Sequence, residues 1–248
     1  MGRRQHSPLT AERADPHVCT PDVRVRALAR APMFAALAPD ALADVDARSR
    51  TVAFQEGERI YHALDPAERL HVVVTGAVKL TRLGPGGRAV LTDVLVSGEF
   101  AGALPALGQE RYGEDAWALT GTCLLVFGAR EVDDILRRHP SVALAALAAV
   151  SGRLAAAQEA IRRLSTASVE QRLAAVLLML ARKVGRPDGE GVLLHAPLGR
   201  EDLAAMAAAT PETISRELSG LRARGLVDAG RRWVRLRDVA ALEAVAAG

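Results

Sequence analysis

The 248-residue sequence predicts an α+β chain of three parts: a β-roll, a long helix and a winged helix-turn-helix. Three observations predict it. Short apolar runs separated by turn residues fill residues 51 to 128, a heptad stripe runs from Leu147 to Leu164, and Leu198 to Arg237 carries caps, breaks and a basic cluster in helix-turn-helix order. The expected boundaries are a mobile arm over 1–22, a roll over 23–138, a long helix over 139–165 and a winged unit over 166–248.

The arm rests on three prolines, Pro8, Pro16 and Pro21, with no apolar periodicity. In the roll, Ile60-Tyr61, Leu70 to Val74, Val78 to Leu83, Val90 to Val96, Trp117 to Leu119 and Leu124 to Phe127 read as strands. Gln55-Glu56-Gly57, Asp65-Pro66, Thr75-Gly76, Pro85-Gly86-Gly87 and Ser97-Gly98 read as the turns between them. Many short strands at near-even spacing predict a small barrel or roll rather than a parallel sheet.

From Val132 the period becomes helical. Leu147, Val150, Leu154, Ala157, Ile161 and Leu164 alternate steps of three and four, which is a heptad seam. Such a stripe is unfavourable in water, so the reading is a seam against a second copy of the chain. The competing reading lays it on the roll of its own subunit. Val169 to Lys183 forms a further helix, apolar from Leu173 to Ala181, and supplies the core of the winged unit.

In that unit Leu203, Ala204 and Ala207 give a first helix a small apolar face. Thr210 then offers an N-cap oxygen directly before Pro211, so a second helix starts there. Ile214, Leu218 and Leu221 mark its buried side, leaving Glu212, Thr213, Ser215, Arg216 and Ser219 on the open side. A carboxylate can accept from the cytosine amino group and an arginine can grip both guanine acceptors, so Glu212, Ser215 and Arg216 are candidate base readers. Gly225 ends the helix, Leu226 and Val227 begin a strand, Ala229-Gly230 turns, and Trp233 to Leu236 returns, a two-stranded wing. From Pro211 to Arg237 seven arginines stand against three acids, 7 − 3 = +4, where phosphates would lie.

Whole-chain charge is only +3, so the local cluster carries the argument. The longest stretches without a charged residue, Ala116 to Ala129 and His139 to Gly152, fall short of the roughly 20 residues of a membrane span, so no such helix and no membrane partner is expected. Arg3, Arg4 and His6 precede no apolar segment, so no secretion signal is read and a cytoplasmic location is expected. Cys19 and Cys123, far apart, fit a reducing compartment and give no disulfide framework. No Gly-x-Ser-x-Gly, phosphate loop or His-Glu-x-x-His appears, so no enzyme is expected. A ligand-binding regulatory module whose C-terminal unit binds protein is the other alternative.

Several motifs together resemble the CRP/FNR family of bacterial transcription regulators over roughly residues 30 to 245. Phe54-Gln55-Glu56-Gly57-Glu58, Val74-Thr75-Gly76-Ala77-Val78-Lys79-Leu80 and Gly98-Glu99-Phe100 are similar to the glycine-marked turns of the family's cyclic-nucleotide-binding-like roll. Pro211-Glu212-Thr213-Ile214-Ser215-Arg216 resembles its recognition helix, with the serine of the FNR branch. The resemblance implies a homodimer on double-stranded DNA at an inverted repeat of TTGAT-type half-sites, with RNA polymerase as a further partner. It implies phosphate contacts for Arg200 and Thr213, joined by Arg222 and the wing arginines Arg231 and Arg232. Residues near Leu164 to Ser168 become the hinge to the reading unit. Ala208 stands where the family's turn usually has glycine; a left-handed alanine costs about 1 kcal/mol, so a slightly reshaped turn is expected.

For the sensor, the resemblance places Gly98, Glu99, Phe100, Arg111 and Trp117 at the effector pocket. With Ala116 aligned to the alanine after the family's Arg-Ser pair, Glu114 and Asp115 occupy the phosphate position and would repel it, which argues against cyclic AMP. A two-residue shift bringing in Arg111 keeps a cyclic-nucleotide module as an alternative. An iron-sulfur cluster needs four thiolates and the chain has two cysteines. Haem-based sensing of nitric oxide or carbon monoxide is the other alternative, with His17, Cys19, His62 and His71 as candidate ligands set against a solvated tail and structural histidines.

Overall fold

Pro21 and Pro39 each stand at a first helical position, where a fixed φ and a missing N–H are harmless, and they open α1 (Pro21–Arg30) and α2 (Pro39–Ala47). The computed structural model that shows them describes residues 19–84, 89–102, 110–189 and 191–248. Contacts divide the described residues into one unit within 19–83 and 93–157 and another within 84–92 and 158–248.

In the first unit eight strands follow: β1 (Arg50–Phe54), β2 (Arg59–Tyr61), β3 (Arg69–Thr75), β4 (Ala77–Leu83), β5 (Ala89–Val96), β6 (Phe100–Gly102), β7 (Asp115–Ala118) and β8 (Thr122–Gly128). They form two sheets, ordered β1-β8-β3-β6 and β2-β7-β4-β5. Both β3 and β8 are almost continuously buried because both faces are covered, with His71 the one ionisable residue among the buried positions of β3. Leu70, Val72 and Val74 with Cys123, Leu125 and Phe127 pack under α1, α2, α3 (Ala129–Arg138) and the start of α4 (Pro140–Thr166). Val73, Leu124 and Val126 turn the other way, onto Val78, Leu80, Leu95 and Ala116 of the second sheet. Gly76 turns β3 into β4 at φ 82, and a Cβ there would run into the Gly121 carbonyl and Thr122. The Pro85-Gly86-Gly87 turn and residues 1–18 of the expected arm, His17 included, lie outside the described residues.

Two expectations about Cys19 and α4 need correction. The end of the arm is not solvated: Cys19 is 4% exposed and disulfide-bonded to Cys123, so neither cysteine is a free thiol. Arg24 holds the adjacent turn by donating to Asp46 at 2.8 and 2.7 Å. The second correction concerns α4. Its charge-free runs are short, yet across the lone Arg153 it is long and apolar enough to cross a membrane by length and composition, with mean hydropathy 1.5 over 18 residues. Alanines raise that average; only Val142 and Ala146 of the helix are buried.

In the second unit Ser168 caps α5 (Val169–Val184) through a capping box with Gln171. Leu173, Ala174, Leu177, Leu178 and Leu180 of α5 form the core. β9 (Gly185–Pro187) and β10 (Val192–Leu194) precede α6 (Arg200–Met206) and α7 (Pro211–Ala223). β11 (Val227–Gly230), β12 (Trp233–Leu236) and α8 (Val239–Ala247) complete the chain. The wing is therefore a four-stranded sheet, β11-β12-β10-β9, not two strands. Its tip is also one step later than expected. Gly230 pairs with Trp233 in the ladder, so Arg231 and a left-handed Arg232 (φ 63) make the turn.

Candidate nucleic-acid interface

Thr210 caps α7 by accepting the Thr213 amide at 3.2 Å, directly before Pro211. Ile214, Leu218 and Leu221 are buried at 0, 2 and 0% exposure, which fixes the helix's roll about its axis. Glu212, Ser215 and Arg216 consequently face solvent from the first two turns, with the Arg216 side chain 75% exposed. Arg216 leans on Glu217 at 3.4 Å, a contact too weak to restrain it. Thr213 is half-buried, its Oγ1 3.2 Å from that of Thr210.

The basic cluster divides into structural and available charge. Arg224 pairs with Glu170, Arg235 donates to Asp188 at 2.9 Å, and Arg237 meets Asp228 at 3.0 Å. Arg232 donates to the Pro197 carbonyl at 3.1 Å. Arg222 and Arg231 are exposed, and among the described residues no carboxylate pairs with them. At the start of α6, Arg200 is half-buried with Nη1 buried and unpartnered, and burial lowers its pKa. A buried donor left without an acceptor is a desolvation cost at the start of α6.

The α6–α7 turn keeps the expected left-handed residue: Ala208 has φ 48, so the turn is not reshaped to suit alanine. Arg172 of α5, which sequence reasoning did not single out, donates to the carbonyls of Ala207 and Ala208 from its place on α5. Its only sequence signal is a charged residue directly before the apolar run Leu173 to Ala181.

In the roll, the residues expected at an effector pocket each have local partners. Gly98 (φ 89) turns against Ala31, and Glu99 accepts the Val96 amide at 3.0 Å. Phe100 is buried against the helices, with the Arg153 guanidinium 4.6 Å over its ring. Arg111 donates to the Leu64 carbonyl at 2.6 Å, and Trp117 lies under Arg59 at 4.0 Å. A different group gathers between the sheets. Ile60, Tyr61, His71, Val73, Val78, Ala101, Ala116 and Leu124 line a crevice too narrow for a water molecule. The chain's only two tyrosines, Tyr61 and Tyr112, stack at 4.0 Å beside His71.

His71 has a buried Nδ1 without a partner, and burial, helped by Arg69, pushes it down to about 4. His62, exposed, lies 3.0 Å from the Arg59 guanidinium and 3.8 Å from Asp115. Cys19, once disulfide-bonded, has no thiolate to offer iron, which removes it as a haem ligand. Among the described residues no three His, Cys, Asp or Glu side chains form a metal-holding group.

This geometry, a capped recognition-type helix and a basic wing on the same chain as a two-sheet sensor roll, defines the class: a DNA-binding transcription regulator with an effector domain. Residues 171–245 match the Crp-like helix-turn-helix domain and residues 51–139 the cyclic nucleotide-binding domain. The Cyclic AMP receptor protein of Thermus thermophilus is 30% identical over 217 residues, covering 88% of this chain and 97% of that protein. The Global nitrogen regulator of Synechocystis sp. is 27% identical over 191 residues, 76% of this chain and 85% of the relative. Among solved structures, FixK2 from Bradyrhizobium japonicum superposes with a TM-score of 0.71 at 25% identity, covering 81% of this chain and 98% of that one. The chain belongs to the CRP/FNR family of transcription regulators.

Proposed function

We propose that the chain works as a homodimer that reads an inverted repeat of TTGAT-like half-sites under control of an effector sensed in residues 23–138. The exposed face of α7 carries this reading: Glu212, Ser215 and Arg216 project from the part of the helix that enters a major groove. Arg200, Thr213, Arg222, Arg231 and Arg232 hold phosphates, with the exposure of Arg222, Arg231 and Arg232 supporting their share. On α4, Leu147, Leu154, Ile161 and Leu164 are 59, 60, 65 and 50% exposed, Val150 is 41% exposed, and Ala157 is exposed too. A second copy would cover this stripe, and its heptad spacing favours that over a lipid chain. The same symmetry sets two α7 helices about one DNA turn apart.

The effector differs from cyclic AMP in this reading. The inter-sheet crevice is apolar, Arg111 is engaged by Leu64, and Asp115 accepts the Ala63 amide at 3.1 Å where the family's phosphate would need a cation. A cytoplasmic, non-enzymatic protein that contacts RNA polymerase completes the proposal.

The test is fluorescence anisotropy with the full chain on inverted-repeat, single half-site and scrambled duplexes, with and without cyclic AMP. The reading requires the order inverted repeat, half-site, scrambled, with no gain from cyclic AMP. Equal affinity for all three duplexes overturns the DNA-reading assignment, and a cyclic-AMP-dependent gain overturns the effector assignment.

A further inference from the structure

We propose that Arg172 is the positioning residue of the reading head. It locks the left-handed turn at Ala208 to the α4–α5 junction, and so sets the angle at which α7 presents Glu212, Ser215 and Arg216.

Three carbonyls from two places in the chain converge on this one guanidinium. Nη1 donates to Ala167 O at 2.7 Å, Nε to Ala207 O at 2.8 Å and Nη2 to Ala208 O at 3.3 Å. Ala167 follows the last residue of α4, while Ala207 and Ala208 follow the last residue of α6. Carbonyls at such ends lack helical partners and need donors from elsewhere. A planar guanidinium can serve three at once, and a lysine ammonium on its flexible stem cannot reproduce the fork. No carboxylate among the described residues shares Arg172, so the carbonyls alone hold its charge.

The place it holds is one of two left-handed non-glycine positions in the head, and the one that lies between α6 and α7; the other, Arg232, is at the wing tip. Ala208 sits at φ 48, a region that suits glycine and disfavours alanine. The turn closes with Ala209 N donating to Ala204 O at 2.9 Å, and α7 begins two residues later. A change in the turn therefore swings α7 as a whole. A second tie, from Glu170 of α5 to Arg224 just beyond α7, anchors the other end of that helix to the same turn of α5. The α4–α5 junction thus reaches both ends of the reading element through two side chains two residues apart.

The inference rests on α7 being the recognition helix, and its test keeps the two apart. The full-length wild type selects its preferred duplex from a randomised library, and that duplex and a scrambled one are then used for every variant. Arg172→Met should lose about 10- to 100-fold on the selected duplex, the scale of a charged hydrogen-bond set. On the scrambled duplex it should stay within about twofold, because the phosphate-facing arginines are untouched. Arg172→Lys should recover only part of the loss. Ala208→Gly added to Arg172→Met should restore most of it, since glycine holds the positive φ unaided.

Wild-type discrimination kept by Arg172→Met overturns the proposal. So does a parallel loss on both duplexes that Ala208→Gly fails to restore, which is what a merely structural role gives. If Arg172→Met does not fold, as judged by thermal unfolding, Arg172→Lys with and without Ala208→Gly carries the same comparison. A wild type that shows no preference between selected and scrambled duplex contradicts α7 as the reader instead.

Discussion

Arg216 and Arg231 carry the same charge and are expected to do different things, because one stands on the solvent-facing side of the first turns of α7 and the other at the wing tip. Replacing Arg216 by alanine should remove about 1–3 kcal/mol of discrimination at a single base pair. Replacing Arg231 should weaken all duplexes alike and reduce the log-log salt slope by about one. Anisotropy titrations over a salt series check both, and equal effects of the two substitutions would contradict the division. His71 yields a pH prediction. Its folded pKa lies near 4 against 6.5 for the free side chain, so the unfolded chain takes up the proton first as pH falls. The contribution of the neutral imidazole is complete above 6.5, declines on acidification and is gone near 4, on the order of 3 kcal/mol in all. Urea midpoints at pH 7 and 4.5 should converge on those of a His71→Leu variant in their pH dependence only if this is wrong; the variant should show the shallower fall.

At the scale of elements, α4 makes the sharpest prediction. Leu154→Lys puts a charge on an exposed seam position and leaves Val142 and Ala146, the helix's buried residues, untouched. Sedimentation should show a monomer with an intact fold, and affinity for an inverted repeat should fall to that for a half-site; an unchanged dimer would contradict the seam. The same scale shows what the sequence could reveal. The cap at Thr210, the buried Ile214, Leu218 and Leu221 and the strands β3, β4 and β8 were readable because each is a local pattern. The short strands β9 and β10, which turn a hairpin into a four-stranded wing, were not, since three residues carry no period. Nor were α1 and α2, whose polar faces dilute the apolar signal, or the Cys19–Cys123 bond, which joins residues 104 apart. The charge count of the basic cluster was legible, but Arg224 and Arg235 find acids outside it, Glu170 and Asp188, that sequence distance hides.

For the whole molecule, the two ends of the account are a roll with an unpartnered buried histidine and a reading head with exposed Glu212, Ser215 and Arg216. The stacking of the chain's two tyrosines was not legible in the sequence, because residues far apart met by folding alone. The claim on which all of this turns is that paired α7 helices distinguish one DNA sequence from another. The most direct measurement is in vitro selection with the full-length wild type and with Arg216→Ala in parallel. The account predicts a two-fold symmetric consensus for the wild type, with the symmetric pair of positions contacted by Arg216 relaxed in the variant. An enriched pool without symmetry, or identical consensus sequences from the two proteins, would contradict it.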